Sequence, residues 1–186
     1  MLFRSAKTNA PGCCEPEVYS GDLESGLPDW LTLQNGAPDV KWQVVTGKQA
    51  HGGKGALWYG DLTKGNYDNG QASKGSIAWK AVGLPKGETL ELSFWLWMQT
   101  EGGTFDDFFV AVQPASGAPK ELWRKSQHPE FQMGAWNAIK LDLAEFAGQT
   151  VTITQTFDTV DSIANSTEGV YVDDLLLKRS CTTSSP

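Results

Sequence analysis

The chain has 186 residues and a formal net charge of −7, from 22 acidic and 15 basic side chains, with a pI near 4.8. That length suits one domain with a sizeable core. The net field repels DNA, RNA and anionic lipid, and the lysines (Lys41, Lys48, Lys54, Lys64, Lys74) form no dense patch, so nucleic acid is excluded as a partner. No apolar run approaches the ~20 residues that span a bilayer.

In chain order, residues 1–16 read as an N-terminal arm, 17–180 as one folded domain and 181–186 as a tail. The opening "MLFRSAKTNAPG" lacks the apolar core of a secretory signal; the expectation is that a signal is missing from this chain. Cys13 and Cys14 sit in the arm and Cys181 begins the tail. Adjacent cysteines strain the peptide between them when they pair. The expected bridge is from Cys14, or Cys13, to Cys181, which needs an oxidising compartment; the alternative is three unpaired thiols in a reducing cytosol. The third thiol is left over, free or bonded to another chain.

Between the arm and the tail, short runs rich in Val, Ile, Thr, Phe, Tyr and Trp alternate with Gly, Pro, Asn and Asp. Strands are predicted at 17–24, 30–34, 41–46, 55–60, 73–82, 88–99, 105–113, 119–125, 134–142, 150–158 and 168–179. Only "LDLAEFAG" (141–148) can make a helical turn. The fold class expected is all-β, a two-sheet antiparallel β-sandwich or jelly roll. In "LELSFWLWMQ", Leu90, Leu92, Phe94, Leu96 and Met98 share the core face, with Glu91, Ser93, Trp95 and Trp97 opposite. In "TVTITQTFD", the row Thr152, Thr154 and Thr156 reads as a wet sheet face.

Several pieces in this order resemble the concanavalin-like or MAM-like jelly-roll modules of bacterial secreted proteins, related to accessory modules of immune-inhibitor-A-type peptidases. They are "DLESGLPDW", "WQVVTGKQAHGGKGALWYGD", "GNYDNG", "LSFWLWMQTEGGTFDDFFVAV", "WNAIKLDLAEFAGQTVTITQTFDT" and "EGVYVDDLLL". Residues 114–133 match nothing in that pattern. The resemblance implies a secreted, accessory, mostly non-catalytic module with a structural calcium. In similar modules acidic residues of the first and last strands meet backbone carbonyls of a Gly-rich loop. Here those are Asp22 or Glu24, the loop residues Ala50, Gly52 and Lys54, and Asp173 or Asp174, with Asp173 preferred.

A second acidic set comes from "TEGGTFDD" and "FDTVDSIANSTE", namely Glu101, Asp106, Asp107, Asp158, Asp161, Asn165 and Glu168. If the two loops adjoin, they make an acidic pocket at one end of the sandwich that suits a second calcium, a hard cation taking six to eight oxygens. The competing role for these side chains is local, since Asp and Asn stabilise turns by bonding their own backbone.

Trp95 and Trp97 lie opposite their strand's core face, where a flat ring stacks on a sugar; Tyr67, in "GDLTKGNYDNG", belongs to a second candidate surface. No G-x-S-x-G, H-E-x-x-H or phosphate loop is present, and two distant histidines make no triad. The function expected is therefore a secreted or cell-surface, non-catalytic recognition or attachment module for a glycan or a protein surface. The rival is a structural subunit of a filament, coat or host complex that self-associates. A hydrolase using an acidic groove ranks third.

Overall fold

The computed structural model describes residues 17–180 apart from 81, 85, 87 and 88. Cys13, Cys14 and Cys181, and with them the expected bridge, lie outside the described residues. The strands are β1 (Glu17–Gly21), β2 (Leu31–Asn35), β3 (Lys41–Thr46), β4 (Gly55–Gly60), β5 (Lys74–Trp79), β6 (Val82–Gly83), β7 (Thr89–Gln99), β8 (Asp107–Pro114), β9 (Lys120–Arg124), β10 (Trp136–Asp142), β11 (Thr150–Asp158) and β12 (Gly169–Ser180). Two single 3₁₀ turns, Lys125–Gln127 and Ala144–Phe146, are the helical elements among the described residues. The second is the turn expected in "LDLAEFAG".

The strands form two antiparallel sheets packed face to face. The first has the order β10-β7-β12-β4-β3, with β1 also paired to β12; the second has the order β2-β5-β11-β8-β9, with β6 also paired to β11. The all-β two-sheet sandwich expected from the sequence is thus observed. The predicted 73–82 strand is two pieces, β5 and β6, which pair with different stretches of β11.

Alternation explains the core. Leu90, Leu92, Phe94, Leu96 and Met98 are all buried at 1% exposure or less, and they face Phe108, Val110, Val112, Ile153 and Phe157 from the other sheet. Apolar burial at ~25 cal/mol per Å² makes this shared layer the main source of stability. Trp42 and Trp79 lie in it as well. Trp79 Nε1 donates to Gln155 Oε1 at 3.2 Å, which satisfies the amide oxygen of Gln155 on a core-facing position.

β12 organises the first sheet. One edge pairs with β7 along its length. The other edge pairs first with β4, over Val170–Val172, and then with β1, over Leu175–Lys178. At the changeover the register against β7 shifts between Asp173 and Leu176, and Asp174 takes the left-handed φ of 49°. A bulge of this kind re-aims side chains, and here it does so in the middle of the acidic pair.

Candidate functional site

Three places combine polar chemistry with concavity or strain. The first is the outer face of the β10-β7-β12-β4-β3 sheet, over which the β3–β4 loop folds. Asp173 is fully buried; its Oδ2 accepts the N–H groups of His51 (2.8 Å) and Gly52 (3.1 Å), and its Oδ1 accepts the Asp174 N–H at 2.7 Å. His51 Nδ1 meets Asp174 Oδ2 at 2.6 Å. At the loop's far end Glu24 Oε1 accepts the N–H groups of Lys54 and Gly55, each at 2.7 Å. The glycines permit this approach. A Cβ on Gly55 would lie 2.5 Å from the Leu23 carbonyl oxygen, and Gly53 has a φ of 58° against the Glu24 carboxylate.

Glu24, Asp173 and the Gly-rich loop therefore converge as the resemblance implied, with different chemistry. The loop turns N–H groups towards both carboxylates, so part of each carboxylate's hydrogen-bonding capacity is met by the loop itself. The Lys54 carbonyl accepts the Gly47 N–H (3.2 Å), Ala50 packs on an apolar cluster, and exposed Asp22 accepts the Glu24 N–H at 3.2 Å in a local turn. As arranged, this first set is a peptide clamp. Burial pushes the Asp173 carboxyl up, against the pull of its three N–H donors. The N–H groups of Gly55 and Lys54 hold Glu24 below the usual carboxylate range.

The clamp also settles the tryptophans. Ala50 closes on a cluster of Val45, Ala56, Trp58, Trp97 and Tyr171, and Lys48 Nζ lies 3.8 Å over the Trp58 ring. Glu168 seals the other side: its carbonyl accepts Trp58 Nε1 and its Oε1 accepts the Tyr171 hydroxyl, both at 2.8 Å. Trp97 is consequently 5% exposed and is no stacking platform. Trp95 stays half-buried, but the His51 ring stacks on it at 3.7 Å and 13°, with Trp136 edge-on to His51. Tyr67, expected on a surface, is fully buried because its loop folds inward to bond Asp106.

The second place is the sandwich end where the loops 61–73, 100–106 and 159–168 meet. Tyr67 donates to Asp106 Oδ2 at 2.6 Å, and the Glu101 N–H donates to the same oxygen at 2.8 Å. Thr167 Oγ1 lies 3.3 Å from the Tyr67 hydroxyl and donates to the Gln99 carbonyl at 2.7 Å, which ties the two acidic loops together. Burial, helped by the Glu101 charge, raises the Asp106 carboxyl to about 6 against the opposing donors. Other members of the predicted set are committed elsewhere. Asp158 pairs with Lys74 (2.9 Å) and caps the Val160 N–H, Asp161 caps the Ile163 N–H, Asp107 pairs with Arg124 (2.8 Å), and Glu168 serves Trp58 and Tyr171. Of the set, Glu101, Asp106 and Asn165 keep buried oxygens without partners. Among the described residues no group of three or more His, Cys, Asp or Glu side chains is arranged around a metal position.

The third place was missed in the sequence. A cleft of about 340 Å³ opens between β10 and the β9–β10 connection, lined by Trp123, His128, Glu130, Phe131, Asn137, Ala138, Ile139 and Lys140. The His128 ring stacks on Trp123 at 5.0 Å and 16°, and Phe131 tilts against Trp123 at 6.1 Å. Glu130 Oε1 meets His128 Nδ1 at 2.7 Å, and that contact holds Glu130 below the usual carboxylate range. Asn137 Nδ2 donates to the carbonyls of Gln132 and Ala135, and its Oδ1 accepts the Gln132 N–H, so the wall is rigid. The available signal was three rings in one short connection, "WRKSQHPEF", within the segment that matches no family pattern. A second cleft of about 280 Å³, at Pro38, Asp39, Lys41, Gln43, Asp61, Leu62 and Thr63, has no ring in its lining.

No family model and no curated protein matches this chain. Solved structures do. One is the carbohydrate-binding module TmCBM61 in complex with β-1,4-galactotriose, with TM-score 0.58 and 16% identity, covering 86% of this chain and 94% of that one. Another is the CBM22-1 xylan-binding domain of Paenibacillus barcinonensis Xyn10C, with TM-score 0.57 and 15% identity, covering 92% of this chain and 100% of that one. A third is the K1 cleaved adhesin domain of Lys-gingipain from Porphyromonas gingivalis W83, with TM-score 0.51 and 16% identity, covering 88% and 98%. At such identities the likeness shows the fold alone, a two-sheet β-sandwich. It gives no support to the narrower MAM-like or immune-inhibitor-A assignment.

Proposed function

We propose that this protein is a non-catalytic module that binds a neutral polysaccharide, holding it against His128 and Phe131 in the cleft that the buried Trp123 backs. The cleft's composition carries the reading. Ring faces are set beside Glu130 and Lys140, the pairing that recognises a sugar's apolar face and its hydroxyls. Its volume lies at the lower end of the ~300–1,000 Å³ typical of ligand pockets, enough for a short stretch of chain. The fold likeness to modules whose ligands are a galactotriose and a xylan supports the ligand class. Such polymers are met outside the cell, so the compartment proposed is extracellular or the cell surface. No pair of carboxylates flanks the cleft as glycoside hydrolysis needs, since Glu130 is the one acidic residue lining it.

Calorimetric titration with β-1,4-galactan and with xylan tests this. Binding to at least one is expected, weakened by about tenfold or more in Phe131→Ala, which corresponds to about 1.4 kcal/mol. Trp95→Ala, on β7 and stacked against His51 rather than on the cleft rings, leaves the affinity unchanged. Absence of binding to both polymers, or loss in Trp95→Ala with Phe131→Ala unaffected, overturns the proposal.

A further inference from the structure

Buried polar atoms without partners locate a second, independent site. Among the described residues seven buried side-chain atoms lack a hydrogen-bond partner. Four can donate: Trp42 Nε1, Tyr59 OH, Ser73 Oγ and Gln155 Nε2. The other three, Asp106 Oδ1, Glu101 Oε2 and Asn165 Oδ1, are acceptors, and all three belong to the tied loops 100–106 and 159–168. Asp106 is 0% and Asn165 2% exposed. Asn165 Nδ2 donates to the Asp161 carbonyl at 3.1 Å, which fixes the free atom as its oxygen.

Leaving a buried acceptor unsatisfied costs about 1–3 kcal/mol, and more when it carries charge. Three such oxygens in two adjoining loops, two of them on mutually repelling carboxylates, call for a shared positive partner. The nearby Lys125 ammonium lowers the Asp106 carboxyl through its charge but makes no close contact with it. Lys125 Nζ donates to the carbonyls of Gly103 (3.3 Å) and Phe105 (3.2 Å), and the ion pairs of the described residues do not include it. Backbone strain concentrates here too. Asp106, Val160 and Ala164 have φ values of 47°, 60° and 57°; for a β-branched valine that is a true outlier, and strain persists where a site demands it.

We propose that these two loops hold a calcium ion through Asp106 Oδ1, Glu101 Oε2 and Asn165 Oδ1. The donor set is all oxygen and doubly anionic, which suits a hard divalent cation, with water or carbonyl oxygens completing six to eight positions. Magnesium, which demands near-ideal octahedral geometry and keeps several waters, suits a buried mixed carboxylate–amide set less well. The ion would pin the 159–168 loop to the β7–β8 loop, holding together the end of the sandwich that also carries the exposed Phe105, Val160 and Ile163. This site does not depend on glycan binding, and it is distinct from the Glu24–Asp173 clamp.

Thermal melting and terbium luminescence on the whole protein test it. The parent, stripped with chelator, gains several degrees in Tm on addition of calcium chloride, and terbium luminescence sensitised by the aromatic rings is displaced by calcium. Asp106→Asn preserves the acceptor for Tyr67 and removes the charge; it loses both responses. Asn165→Ala, which leaves the Tyr67–Asp106 contact intact, weakens calcium affinity at least tenfold. Glu24→Gln leaves both responses in place. The proposal is overturned if the parent shows no calcium-dependent shift, if Asp106→Asn and Asn165→Ala respond as the parent does, or if the response disappears in Glu24→Gln instead.

Discussion

Replacing Asp173 by alanine opens the clamp at its centre. The change removes the acceptor for three N–H groups, those of His51, Gly52 and Asp174, at 2.7–3.1 Å. Each orphaned donor costs about 1–3 kcal/mol if it stays dry. Two of the three sit on a surface loop that water can reach once it lifts, and the raised carboxyl shows that burying the charge already has a cost. The net loss expected is about 3 kcal/mol, or a Tm lower by about 6–12 °C for a chain of this size. Asp173→Asn keeps the shape and sheds the charge, but it sets an amide NH₂ against a donor, so about 1 kcal/mol is expected. Because the folded-state carboxyl is raised, the native state favours its neutral form. The parent's stability from this group is greatest below the unfolded-state value and declines as pH rises towards the folded one, and Asp173→Asn removes that slope. Urea melts followed by tryptophan emission read both effects, since release of Ala50 and His51 uncovers Trp97 and Trp95 and shifts emission to the red. If Asp173→Ala melts within 2 °C of the parent with unshifted emission, the clamp does not hold the loop.

Two further outcomes follow from the same contacts. Glu24 is held below the usual carboxylate range by the N–H groups of Gly55 and Lys54. Its contribution is therefore present at neutral pH and lost on acidification through the carboxylate range, and Glu24→Gln should flatten that part of the stability–pH curve measured by thermal melting. Tyr171→Phe removes the hydroxyl's bond to Glu168 at the edge of the Trp58–Trp97 cluster. A loss of about 1 kcal/mol in urea denaturation is expected, because the ring keeps its place while Glu168 swings to solvent.

Strand faces were legible because period-2 alternation leaves little freedom. The core row of β7 and the Ile139–Leu141 row of β10 lie where the residues alone put them. The convergence of Glu24, Asp173 and "AHGGKG" was legible from order and resemblance. The polarity of that meeting was not, because whether a loop presents N–H or C=O depends on a few dihedrals that sequence does not display. Trp97 was misread for a related reason. Its outward position on the strand is real, but burial is decided by a distant loop, 47–54, that folds across it. Tyr67 shows the reverse: a ring in a polar, Gly-rich loop turns inward because Asp106 offers an acceptor 39 positions away. The Trp123–His128–Phe131 cleft joins β10 to a connection without family pattern, so neither periodicity nor resemblance pointed to it.

Amide chemical-shift mapping of the isotope-labelled protein with a β-1,4-galacto-oligosaccharide, and separately with a xylo-oligosaccharide, addresses the glycan-binding cleft most directly. The account predicts saturable shifts clustered at Trp123, His128, Phe131 and Lys140. Shifts centred on His51, Trp95 and Trp136, or none with either sugar at millimolar concentration, would contradict it.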